Sequence, residues 1–183
     1  MVDYEDFAGP SGGADNMGGT KQYFYWAPLE YFDVIERPDP ADTTLAGKVT
    51  IPITHSFLPG KGFHKMYCTI DKGSIEAAPQ GETDGHSYKQ TAKYFLPGSD
   101  PNAHGFASQA KNDRFITLNV MPDGKVMQIG SEDFFAKIMG KWGTGTNSGG
   151  IRGYEFEVSS MAPENYIYEG DIVLFADEQG SGS

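Results

Sequence analysis

The chain predicts a mainly β protein, an antiparallel β-sandwich or barrel with one or two short helices and long loops. Three observations carry that expectation. Apolar residues recur with period two along most of the chain. Glycine and proline, 24 and 11 of 183 residues, break that pattern into short stretches joined by turns. Helix-start signals appear at only two places.

Taken in order, residues 21–26 (KQYFYW) are rich in aromatics and predict an opening strand. Residues 47–54 set Val49, Ile51 and Ile53 at alternate positions, with Pro52 marking an edge or a bulge. Residues 63–71 put Phe63, Lys65, Tyr67 and Thr69 on one face and His64, Met66, Cys68 and Ile70 on the other. Residues 86–96 alternate again, with Tyr88, Ala92, Tyr94 and Leu96 together. Strands at 115–120 and 125–130 flank Met121-Pro122-Asp123-Gly124, a hairpin loop in which Gly124 supplies positive φ. Residues 153–160 give the clearest half-buried strand, with Tyr154, Phe156 and Val158 opposite Glu155 and Glu157.

Asp100-Pro101 followed by residues 103–110 predicts an N-cap, a proline in the first turn and a short helix. Residues 131–139 (SEDFFAKIM) open on an N-cap serine and two acids, yet their β-rich surroundings also fit a strand. Two connections, 36–47 and 140–150, are of a length expected to be functional or disordered more often than passive. Trp142 in the second either anchors a contact arm or folds back over the core.

Charge and composition divide the chain into three parts. Residues 1–20 hold Asp3, Glu5, Asp6 and Asp15 without a base and are rich in glycine, so they are expected to form a flexible arm. Residues 21–176 form a single sandwich or barrel domain, and 177–183 a solvated tail. Net charge is −11, from 25 acids and 14 bases. That balance does not attract polyanions, because DNA binding needs clustered Lys and Arg to release counterions. No apolar run approaches the roughly 18 residues of a membrane span. Mean hydropathy is −0.45, and the first seven residues lack the basic, then apolar, build of a signal peptide.

The residues that carry chemistry are sparse. His55, His64, His86 and His104 form no H-x-H, H-x-x-x-H or H-E-x-x-H pair. Cys68 alternates with Met66 and Ile70 and reads as a small core residue. Gly143-Thr144-Gly145 with Gly149 and Gly150 fails the phosphate-loop spacing, since Ser148 stands where a glycine is required. It also precedes a strand instead of a helix. Asp123-Gly124 and Asp84-Gly85 are isolated turn pairs, not a calcium loop. The residues point to no catalytic, cofactor or metal site.

The order of segments resembles a known family. Arg114-Phe115-Ile116-Thr117-Leu118 leads to Asp123-Gly124-Lys125 and to Gln128-Ile129-Gly130-Ser131-Glu132-Asp133. A Thr144-Gly145-Thr146 loop then feeds Gly153-Tyr154-Glu155-Phe156-Glu157. Together with residues 67–73, 86–95 and 101–111, this is similar to tail-tube-like structural proteins of tailed bacteriophages, over about residues 60–170. The resemblance implies a tail-tube-type fold and a virion structural protein assembled into stacked rings, commonly hexameric, around a channel for DNA. It implies copies of the chain and other tail or connector proteins as partners, transient non-specific contact with DNA, and no membrane. Its place would be the virion tail, reached from the host cytoplasm. An acidic sheet face is expected to line the channel. Tyr23, Tyr25, Trp26, Trp142, Thr144 and Asn147 are the candidate subunit-interface residues. The alternatives are a capsid-decoration or host-glycan-binding β-sandwich and, last, a small β-barrel enzyme.

Overall fold

The computed structural model describes residues 4–176; the tail expected at 177–183 lies outside them. Its strands are β1 (Tyr23–Pro28), β2 (Phe32–Val34), β3 (Thr50–Ile51), β4 (Ser56–Phe57), β5 (His64–Tyr67) and β6 (Ser74–Gln80). These are followed by β7 (Ser87–Pro97), helix α1 (Pro101–Ala110), β8 (Phe115–Val120), β9 (Val126–Ile129), β10 (Lys137–Gly143), β11 (Gly153–Ala162) and β12 (Tyr166–Tyr168). The mainly β expectation holds. The barrel alternative does not, because none of the sheets closes on itself.

A six-stranded sheet in the order β3-β12-β9-β8-β1-β5 forms the centre. A four-stranded sheet, β10-β11-β7-β6, packs over one face, and the two-stranded β2-β4 ribbon sits by the other. All pairings are antiparallel except β12 with β3, where Ile167 and Tyr168 run parallel to Thr50 and Ile51. That pair and an isolated parallel bridge between Phe63 and Leu174 depart from the wholly antiparallel expectation.

Period-two sequence builds this arrangement directly. On β1, Phe24 and Trp26 face the four-stranded sheet, while Tyr25 and Ala27 face the ribbon. On β8, Phe115 joins the first core and Ile116 and Leu118 the second, so all six residues are buried. The first core is aromatic: Phe24 stacks on Tyr94 with ring centroids 4.1 Å apart, and Tyr154 on Phe156 at 5.1 Å. Offset stacking of this kind adds about 0.5–1.5 kcal/mol per pair beyond area burial.

The helix forms as its sequence predicts. The Asp100 carboxylate accepts from the Asn102 N–H at 2.9 Å, and Pro101 opens the first turn. Phe106 and Ala110 turn inward, with Phe106 4.6 Å from Trp26. The β8–β9 hairpin is also as expected, with Gly124 at φ 90°.

Residues 131–139 resolve as a turn and a strand. The Phe134 N–H donates to Ser131 Oγ at 3.1 Å, closing a short turn before β10 begins. Strand 47–54 shrinks to Thr50–Ile51. Pro52 offers no N–H to continue it, and Ile53 is left 56% exposed. Strand 63–71 likewise stops at Tyr67. Cys68 still turns inward, but Ile70 is exposed, because Asp71 adopts φ 63° and turns the chain.

One buried hydrogen bond ties the two large sheets together. Tyr94 of β7 donates its hydroxyl to Asn119 Oδ1 of β8 at 2.6 Å, and Asn119 Nδ2 donates to Thr117 Oγ1 and Met127 O. Tyr94→Phe removes the donor and leaves Asn119 Oδ1 buried. It should cost about 1–3 kcal/mol, read as a lower midpoint in chemical denaturation with the slope unchanged.

Candidate assembly surface

Apart from its β5 edge the six-stranded sheet is covered on both sides, so the solvent-facing surface of the four-stranded sheet is the broad open sheet face. Register fixes its composition. Lys137, Met139 and Lys141 of β10 lie opposite Ser159, Glu157 and Glu155 of β11. Met161, Ser159, Glu157 and Glu155 in turn lie opposite Lys89, Thr91, Lys93 and Phe95 of β7. Glu76 of β6 lies beside Thr91. Four lysines (89, 93, 137 and 141) thus meet three glutamates (76, 155 and 157), giving one net positive charge in a chain of net charge −11.

The open face of the four-stranded sheet is therefore not an acidic one. Cross-strand register sets lysine against glutamate, as in Lys93–Glu157 at 3.9 Å. The acids that set the net charge lie mainly in the arm, in turns and in loops, for example Asp39, Asp42, Asp71, Asp84 and Asp123.

The outer strands of this sheet are β10 and β6. Six of the seven residues of β10 are exposed, and only Ile138 is buried. Apolar side chains cluster near this edge, with Phe134, Met139 and Met161 between 51% and 61% exposed. A strand of this length with an open edge and apolar neighbours is a template for pairing with another chain.

The six interface candidates separate into four places. Tyr23 and Tyr25 share one face of β1, 5.6 Å apart edge to face, and Tyr25 packs against the ribbon-side core. Trp26 points to the other face and packs between His64, Phe106 and Phe115. Trp142 lies at the end of β10, not in a loop. Its Nε1 donates to Gly98 O at 3.2 Å, and its ring meets His104 at 5.3 Å. These contacts tie the ring to its own chain while leaving Trp142 38% exposed. Thr144 and Asn147 are exposed in the loop 144–152, and Asn147 lines a cleft of about 860 Å³ against Lys93, Phe95 and Glu155 of the open face. Sequence reasoning missed the strand edge itself. Its only local sign is the alternation of Ile138 with Lys137 and Met139.

The histidines do not converge. Among the described residues no three His, Cys, Asp or Glu side chains group in a way that holds a metal ion. Cys68 is buried and donates to Thr69 O, and burial pushes its thiol pKa up. His104 Nδ1 lies 2.6 Å from the Tyr154 hydroxyl. His55 is the most enclosed, at 2% exposure. Its Nδ1 accepts the Glu36 N–H at 2.9 Å, so Nε2 carries the proton and donates to Gln128 Oε1 at 2.7 Å. The ring stacks on Tyr168 at 4.7 Å.

No family model, curated protein or solved structure matches the chain. Among the described residues, no helix is long and apolar enough to cross a membrane.

Burial holds the His55 pKa below its ordinary value of 6.5, outweighing the opposing pull of Gln128 and of the Glu36 charge. The unfolded chain therefore binds a proton that the folded one refuses. Stability contributed by neutral His55 is complete above pH 6.5 and declines as pH falls below it, levelling off under the folded-state pKa. Denaturation midpoints measured between pH 7.5 and 5 should fall, and His55→Gln should show a shallower fall over that window.

Proposed function

We propose that the chain is a self-assembling virion structural protein whose copies form rings, commonly hexameric, that stack into a phage tail tube with a channel for DNA. The observation that carries this is the open four-stranded sheet with a long exposed edge at β10. Its strands run antiparallel throughout and are even in number, so its two edges run in opposite directions. Setting β10 of one copy beside β6 of the next continues the antiparallel order. The contact is head-to-tail, the kind that closes into rings.

In this arrangement the four-stranded face becomes the channel wall. Lysines and glutamates alternating across it give phosphate neither a basic surface to bind nor a strong repulsion. Passing DNA meets a near-neutral, hydrated wall, and the acidic loops sit at the rims. Other tail or connector proteins would meet the ring ends, where the loop 144–152 and the arm are available. The family assignment draws on the sequence resemblance together with this topology.

Negative-stain microscopy of the purified protein tests the proposal: six-fold rings or tubes are expected. Monodisperse monomers or trimers at high concentration would overturn it and favour a decoration or glycan-binding module. Met139→Lys places a charge beside the open edge of β10, directly opposite Glu157. It should change folding stability by no more than about 0.5 kcal/mol while raising the concentration needed for rings, measured by sedimentation velocity.

A further inference from the structure

The N-terminal arm and a groove beside it have matching chemistry. Residues 4–19 are all exposed. Tyr4 is 92% and Phe7 85% exposed, with Glu5 and Asp6 between them. Two aromatic rings in water, each with on the order of 150–250 Å² to bury, form an anchor pair without a seat.

The groove lies where β1 begins beside β5. It holds about 1000 Å³ and is lined by Tyr23, Tyr67, Ile70 and Pro122, with Lys21 and Lys65 also in its wall. Tyr67 is 49% and Ile70 67% exposed. Lys65 Nζ stands 4.1 Å from the centre of the Tyr23 ring. Its lining residues include two lysines and no acid, in a chain of net charge −11. An apolar, basic groove thus faces a segment that is aromatic and acidic.

We propose that this groove receives the arm of a second copy of the chain. Tyr4 and Phe7 seat among Tyr23, Tyr67, Ile70 and Pro122, and Glu5 and Asp6 pair with Lys21 and Lys65. The proposal deepens the assembly reading, on which it rests, by naming a contact between copies that does not use the sheet edges. A second copy fits better than the same chain. The root of the chain's own arm, Met17 and Thr20, already forms part of the groove wall. The arm turns at Gly12 and Gly13, where the Ala14 N–H donates to Ser11 O, and its tip beyond that turn is still in solvent. A neighbour's tip enters without doubling back.

The test is photo-crosslinking in the full-length chain, with p-benzoylphenylalanine at position 7 and a mixture of unlabelled and ¹⁵N-labelled copies. The expected result is a link joining one isotope to the other and mapping to residues 21–23 or 65–70. Lys21→Glu with Lys65→Glu should lower that yield about tenfold. Adding Glu5→Lys with Asp6→Lys should restore it, which a misfolded variant could not do. Links confined to one copy, links scattered over the surface, or a yield indifferent to charge reversal would each overturn the proposal. Rings seen by microscopy with position 7 unlinked would overturn it and leave the assembly reading standing. Isotope-mixed links to the groove from a chain that forms no rings would sustain the contact and overturn the rings.

Discussion

Burial of the central sheet on both faces is the constraint from which the rest of the structure follows. Strand β8 has no solvent side, so its polar residues need partners inside the protein. Thr117 donates to Ile129 O at 3.3 Å, and Asn119 is held by Tyr94, Thr117 and Met127. On the neighbouring strand Gln128 bridges His55 and Gly130 O. Each of these bonds is worth only about 1 kcal/mol net, but leaving any group unpaired costs more. The network therefore selects one register among those that would bury the same apolar residues.

That constraint also decides which surfaces are left for partners. The central sheet spends both faces internally, on the aromatic core under β7 and β11 and on the ribbon-side core around Phe63 and Tyr168. What remains outside includes the Lys/Glu face of the smaller sheet, its edges, the groove beside β1 and β5, the loop 144–152 and the arm. The electrostatics of these parts differ. The sheet face is nearly neutral because strand register pairs opposite charges, and the acids are concentrated in segments without regular structure. A net charge read from composition thus describes the loops and termini more than the sheet.

Locally determined elements were legible in the sequence. The β8–β9 hairpin follows from Asp123-Gly124, the helix from Asp100-Pro101, and β11 from strict alternation between Tyr154 and Val158. Elements that exist only through distant partners were not. Strand β6 reads Ser-Ile-Glu-Ala-Ala-Pro-Gln, with weak alternation and a proline, and it is a strand because β7 pairs with all seven residues. Strands β2 and β4 are two or three residues long and are held by Phe32 against Phe57, 4.5 Å apart. Trp142 could not be placed locally either, since its partners Gly98 and His104 lie about forty residues upstream. Among the interface candidates, aromatic content identified residues that stack, but Trp26 and Tyr25 stack mostly within their own chain. The open edge of β10 was invisible because an edge is a property of sheet order, not of any one strand.

The parallel pairing of β3 with β12 has a bearing on when the central sheet is complete. Residues 50 and 51 meet 167 and 168 across the edge of the central sheet, so the early strand has no ladder partner there until residues 167 and 168 have been made. During synthesis β3 must wait for β12, and a parallel closure over that separation is intrinsically slow. A chain cut short on the ribosome would carry an unfinished central sheet. Completion of the central sheet is thereby tied to synthesis of residues 166–168.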